Sequence, residues 1–203
     1  MPEGNARAGG FIARIPLVEP EQAERDVQAI LGSLEERGLA PFQFQAQALA
    51  NHPAFFKAIV QLLHAYTHDS VVPRNYLELA VLAVSTGNEC EYCVVHHTPP
   101  AVASGVAREK VELVTKGAWR DSDAFDETER LVLEYAEQLT RDANRVSDEL
   151  FDGLKRRFDT QQIVELTVRI AMCGFFNRFN SVLWLDIEPL ARQLYEGVDG
   201  ATS

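Results

Sequence analysis

Across most of this chain the apolar residues recur every three to four positions, and almost nowhere do they alternate. That period lines one stripe of an α-helix, whereas a strand would need a period of two. Residues 19–37 carry Val27, Ile30, Leu31 and Leu34 at helical spacing and stop at Gly38, which predicts one helix there. A short helix is expected over 42–49. Pro53 then suits the first turn of the next, which runs through Phe55, Ile59, Leu62, Leu63 and Tyr66. Residues 73–86 form another, closed by Gly87, and a further helix is expected from Asn88 to about Ser104. Pro99 and Pro100 fall inside it and predict a kink or a break after Thr98. Further helices are read over 108–116, 126–140, 147–158 and 160–185. No alternating run is bracketed by Asn-Gly or Asp-Gly turns, so the expected fold is all-α. Residues 1–15 are glycine-rich, lack an apolar period, and read as a flexible arm ahead of a single helical domain over 16–203.

With 203 residues, of which 46% are hydrophobic, the chain can bury one full-sized core. No apolar run approaches the roughly 20 residues that cross a bilayer, and the N-terminus has no signal-peptide apolar block. A cytoplasmic location is therefore expected. The 19 basic against 30 acidic residues leave a formal charge of -11. Such a surface repels phosphate backbones and anionic lipid heads, so neither nucleic acid nor membrane is an expected partner. Lys155-Arg156-Arg157, the obvious basic cluster, reads as a solvated helix face.

Three cysteines are too few for a disulfide-stapled scaffold. Cys173, within the apolar run 170–176, reads as a small core hydrophobe. Cys90 and Cys93 form a C-x-x-C pair. Asn88 is a favourable N-cap with Glu91 as its capping-box partner, which would set both cysteines at a helix start. The positive end of the helix dipole there lowers a thiol pKa, and the thiolate is the reactive species. Cys90, Cys93 and His97 share one helical stripe, and a hairpin through Gly87 would bring Glu78 against His97. A Glu–His–Cys relay beside a second, resolving cysteine is what a dithiol peroxidase requires.

The rival reading is a metal site. Cys90, Cys93, His96 and His97 are the right elements for zinc, but His96 points about 100° away from His97 on a helix. Four ligands from one short helical stretch do not readily close a tetrahedron, so no metal and no cofactor is expected. His96 reads as a surface or interface histidine, and His52, His64 and His68 have no partner visible in the sequence. Phe175, Phe176, Phe179 and Trp184 read as core or subunit interface, with the option of lining a substrate entrance.

The string E-x11-C-x2-C-x3-H made by Glu78, Cys90, Cys93 and His97 resembles the motif of the alkylhydroperoxidase D and carboxymuconolactone decarboxylase superfamily. Its flanks fit too: the Asn51-His52-Pro53 turn, and the Glu78-Leu-Ala-Val-Leu-Ala-Val run leading into Asn88. The likeness is strongest over 51–114, while Asn177-Arg178-Phe179-Asn180 is similar to peroxidase-related members. The resemblance implies an all-helical fold and a thiol-dependent peroxidase or disulfide oxidoreductase. Cys93 would attack the hydroperoxide and pass through a sulfenic acid, Cys90 would resolve it to a disulfide, and His97 with Glu78 would relay the proton. It also implies a dithiol electron donor, such as a lipoyl or thioredoxin-like protein, and assembly as a trimer or hexamer. Alkylhydroperoxidase D has a second histidine between its cysteines, where this chain has Tyr92, a residue frequent there in the wider superfamily. Two alternatives accompany this reading: a carboxymuconolactone decarboxylase-type lyase, and a non-enzymatic redox-sensing protein on the same scaffold.

Overall fold

The structure, a computed structural model, describes residues 13–199. Among the described residues there are ten α-helices and no strand. They are α1 Arg25–Leu31, α2 Gln43–Leu49, α3 Pro53–His68, α4 Arg74–Gly87 and α5 Glu91–Ala103. These are followed by α6 Arg108–Thr115, α7 Glu127–Asp142, α8 Asp148–Arg157, α9 Thr160–Leu183 and α10 Pro189–Asp199. No helix among the described residues is long and apolar enough to cross a membrane.

The fold is organised around α4. Every residue from Leu77 to Ser85 is buried, so this helix is enclosed on all sides and packs against α5, α6, α7 and α9. Leu79, Val81, Leu82 and Val84 lose all contact with solvent, each contributing about 1.5–3 kcal/mol of apolar burial. Amphipathic helices then cover it. On α7, Val132, Leu133 and Ala136 face inward, and a reciprocal capping box of Asp126 and Glu129 starts the helix. A second box, Asp159 with Gln162, starts α9. Lys155, Arg156 and Arg157 occupy the exposed last turn of α8, where cations favour the helix dipole.

Four local expectations are corrected. The helix expected over 19–37 is split: Ala23 and Glu24 are extended, α1 begins only at Arg25, and turns lead from it to Gly38 at φ 67°. Asn88 does not cap α5. It is the C-cap of α4, and Glu89 after it takes a left-handed φ of 53°. Glu89 N–H donates to Thr86 O at 3.0 Å and Cys90 N–H to Ser85 O at 2.9 Å, which is the Schellman closure of a helix end. The turn uses the backbone that an Asn88 capping box would need, and Cys90 itself becomes the N-cap of α5. Pro99 and Pro100 do not break α5, which runs on to Ala103 and packs against α4, α6 and α10. Finally α10, which was not read from the sequence, packs along α5.

Residues 1–12 of the expected arm lie outside the described residues. Where the description begins, Arg14 N–H donates to Leu183 O at 2.8 Å, and Ala13, Ile15 and Leu17 pack on the cluster around the two cysteines.

Candidate active site

The short α4–α5 connection makes an antiparallel hairpin that places Glu78 against His97, with Nδ1 and Oε2 2.9 Å apart. Glu78 is 1% exposed within an otherwise apolar helix. A carboxylate there must be paired, because an uncompensated buried charge costs several kcal/mol. Its second oxygen accepts from Arg74 Nε at 3.1 Å, one turn back on α4. Burial alone would raise its pKa. His97, Arg169 and Arg74 outweigh burial and bring it down to about 2. For His97 the balance runs the other way: burial dominates over the attraction of Glu78 and pushes the imidazole below its ordinary value. The pair therefore rests as a carboxylate accepting Nδ1–H from a neutral ring. Nε2 keeps its lone pair and has no hydrogen-bond partner among the described residues, the geometry of a held general base.

Cys90 and Cys93 are both reduced and buried, with sulfurs 3.0 Å apart. The two share a proton and titrate as a unit. The hydrogen bond from the Cys93 thiol, with help from the Cys93 backbone and the Ser181 and Asn177 side chains, lowers Cys90 to about 7. That same bond, together with burial and the Cys90 charge, raises Cys93. Of the pair, Cys90 is thus the thiol that ionises more readily, at the N-cap of α5, where the orphan N–H groups favour negative charge. Cys93 lies one turn on and is the member of the pair that lines a cavity of about 330 Å³. Glu78, His96 and His97 line the same cavity, along with Phe42, Leu63 and Phe176. All four residues singled out by the sequence motif are thus brought together, as two contacting pairs, Glu78 with His97 and Cys90 with Cys93.

Several neighbours were not foreseen. Asn180, buried on α9, donates from Nδ2 toward Cys93 Sγ at 3.4 Å and accepts from Gln45 Nε2 at 2.9 Å. Asn177, one turn earlier, bonds Asn88 at 2.8 Å and Ser85 at 3.4 Å. Two asparagines three apart in an apolar helix were the available signal, since such residues are disfavoured in helix interiors unless their amides are engaged. Cys173 is buried as expected, with burial raising it to about 11, and it contacts Ser85 Oγ at 3.3 Å. It also reaches the cavity wall. Of the aromatic stripe, Phe176 is buried against the cavity, while Phe175 and Trp184 are exposed. His52 caps α3 through Phe55 N–H, and the exposed rings of His64 and His68 stack on one another.

His96 is neither at the surface nor open. It is 3% exposed, with Nδ1 2.6 Å from Tyr92 O and Nε2 2.7 Å from Glu188 Oε2 and 2.8 Å from Pro41 O. Glu188, also buried, accepts in addition from Tyr92 Oη at 2.9 Å and Phe44 N–H at 2.7 Å. This carboxylate joins the N-terminus of α10 to α2 and α5. With both imidazoles committed to carboxylates, no three His, Cys, Asp or Glu side chains converge as metal ligands among the described residues.

Residues 53–138 match the sequence model of the Carboxymuconolactone decarboxylase family. The protein YdfG of Bacillus subtilis (strain 168) is 29% identical over 123 residues, covering 60% of this chain and 82% of its own length. Among solved structures, the fold is similar to the alkylhydroperoxidase AhpD core of a peroxidase-related protein from Ralstonia eutropha JMP134. The TM-score is 0.79 at 22% identity, over 92% of this chain and 98% of that one. It is also similar to the debrominase Bmp8, with a TM-score of 0.73 at 23% identity over 90% and 96% of the two chains. Bmp8 is known as well in a Cys-to-Ala form in complex with 2,3,4-tribromopyrrole. These two structures bear on the fold, and the family match bears on the segment that holds Glu78, Cys90, Cys93 and His97. Residues 53–138 are thus similar in sequence to the Carboxymuconolactone decarboxylase family, and the described fold is similar to that of the alkylhydroperoxidase AhpD core.

Proposed function

We propose that the chain is a thiol-dependent peroxidase, a disulfide oxidoreductase that reduces hydroperoxides through Cys90 and Cys93. The observation that carries this reading is the reduced dithiol, sulfurs 3.0 Å apart, whose Cys93 shares a cavity with a histidine oriented by a buried glutamate. A shift of the shared proton to Cys90 leaves the Cys93 thiolate, which Asn180 stabilises. It attacks the distal peroxide oxygen, the O–O bond breaks, and Cys93 becomes a sulfenic acid. His97 Nε2, having taken the proton lost when the pair ionised, returns it to the departing alkoxide as an alcohol. Cys90 then attacks the Cys93 sulfur, its proton leaves with the hydroxyl as water, and the disulfide forms. The sulfurs need close by only about 1 Å to reach a bond of roughly 2.05 Å. An external dithiol, of the lipoyl or thioredoxin-like class, restores both thiols. Assembly as a homo-oligomer accompanies this proposal, and Phe55, Val164 and Val182, each more than half exposed, supply apolar surface for it.

A decarboxylase-type lyase would leave the dithiol idle and is the weaker reading. The test is to mix reduced protein with a hydroperoxide and count thiols by mass spectrometry in the wild type, Cys93→Ser and Cys90→Ser. Loss of both wild-type thiols as an internal disulfide is expected. Cys90→Ser should halt at an oxidised Cys93, and Cys93→Ser should keep its remaining motif thiol. A wild type that retains both thiols under excess peroxide would sink the peroxidase reading. Oxidation that no dithiol can reverse would favour the redox-sensing alternative.

A further inference from the structure

The cavity carries a charge pattern opposite to that of the protein. The chain as a whole bears -11, yet the cavity wall holds three arginines, Arg37, Arg74 and Arg169, against one carboxylate, Glu78. Two of the three are engaged: Arg74 with Glu78, and Arg37 with Ser33 Oγ at 2.8 Å. Arg169 is not. Half-buried on α9, it has neither a carboxylate nor a hydrogen-bond partner among the described residues. Its guanidinium lies over the Tyr66 ring, 5.2 Å from the centroid. Its charge is felt at Glu78, His97 and Cys173, which places it beside the reacting groups. Stacked on an aromatic face and with its donors unused, it presents a planar fork suited to a carboxylate. Leu63, Leu77, Phe176 and Leu194 supply apolar wall beside the polar groups of the site.

We propose that the molecule this cavity takes is a small amphipathic anion, an aliphatic or aromatic carboxylic acid whose carboxylate pairs with Arg169 while its apolar body lies against the leucines and Phe176. For the peroxidase reading, on which this inference rests only for what happens to the bound molecule, the natural oxidant is then a hydroperoxide bearing a carboxylate. A guanidinium in a concave, partly dry site also draws anions through the repelling field of an acidic surface. Were Arg169 there only to hold Glu78 ionised, it would pair with that carboxylate, whose two oxygens are instead taken by Arg74 and His97.

The experiment uses the reduced full chain and two non-reacting probes of equal shape, para-isopropylbenzoate and para-isopropylbenzamide, with binding read by calorimetry at neutral pH. The acid should bind the wild type at least about 10-fold tighter than the amide, as expected for a charge-assisted pair. Arg169→Met should erase that preference while leaving amide binding in place, and Arg169→Lys should restore part of it. Equal binding of acid and amide by the wild type, binding of neither, or a preference that survives in Arg169→Met overturns the proposal. If Arg169→Met does not fold, the wild-type ratio and Arg169→Lys still decide. Thiol loss under hydrogen peroxide, which has no carboxylate, is scored separately. Acid preference without thiol loss supports the anion site and removes the peroxidase reading, and thiol loss without acid preference overturns the anion site alone.

Discussion

His96 and His97 are neighbours on one helix, and each faces a buried glutamate, yet the two pairs are built for opposite purposes. His97 meets Glu78 at 2.9 Å and His96 meets Glu188 at 2.7 Å. Around His96 every neighbouring oxygen is an acceptor, and around Glu188 every neighbour is a donor, so each polar atom is used and none faces open space. The His97 side chain is 16% exposed, its Nε2 is open, and it stands on the cavity beside Cys93. A saturated network fixes geometry, whereas one with a vacant site can accept a proton. Glu188–His96–Tyr92 clamps α10 and α2 onto the helix that carries the cysteines, and Glu78–His97 is the pair to which we assign the proton transfer.

That contrast is broken most severely by removing the clamp. Glu188→Ala removes the buried carboxylate that the Tyr92 hydroxyl, Phe44 N–H and His96 Nε2 share. The expected loss is about 3–5 kcal/mol, or roughly 10 °C in Tm for a chain of this size, read by calorimetric melting. Tm unchanged within about 2 °C would show that the network carries no structural load. Acid tests the other pair. Glu78 is depressed in the fold to about 2 from an ordinary 4.5, so its contribution is fully present above pH 4.5 and is lost as pH falls through 2. It amounts to about 3 kcal/mol. Glu78→Gln should flatten the stability curve across that window in acid-denaturation titrations. A curve that keeps the wild-type slope there would mean Glu78 is not depressed. The smallest effect lies at the turn between the pairs. Glu89 holds a left-handed φ at an exposed position, so Glu89→Gly should stabilise by up to about 1 kcal/mol, measured by denaturant unfolding. A loss would mean that the Glu89 side chain does more than occupy the turn.

How much of this was readable follows the distance along the chain. Glu78 and His97 are 19 residues apart across one tight turn, so two helical periods and Gly87 sufficed to predict their contact. Glu188 lies 92 residues from His96, and no local pattern links them. Without α10, the carboxylate that faces His96 is invisible to local pattern, and the ring reads as a surface or interface histidine. Asn88 misled for a physical reason. The same residue types that start a helix also finish one, and only the left-handed Glu89 shows which. The break expected at Pro99 and Pro100 does not occur: propensity is local, and the helix that contains them is packed against α4, α6 and α10. Asn177 and Asn180 were noticed only as a resemblance, although polar amides amid Phe175, Phe176 and Phe179 already marked a satisfied, buried network.

The two pairs are told apart by which glutamate serves the thiols. Glu78→Gln and Glu188→Gln are to be compared, both at a temperature where they are folded, by the rate at which a hydroperoxide consumes the Cys90/Cys93 thiols near pH 7. Glu78→Gln should lose about 100-fold in rate, the scale of a disabled general base, whereas Glu188→Gln should melt earlier but oxidise within about threefold of wild type. A Glu188→Gln protein that folds yet loses the larger factor, with Glu78→Gln near normal, would reverse the assignment of the two pairs.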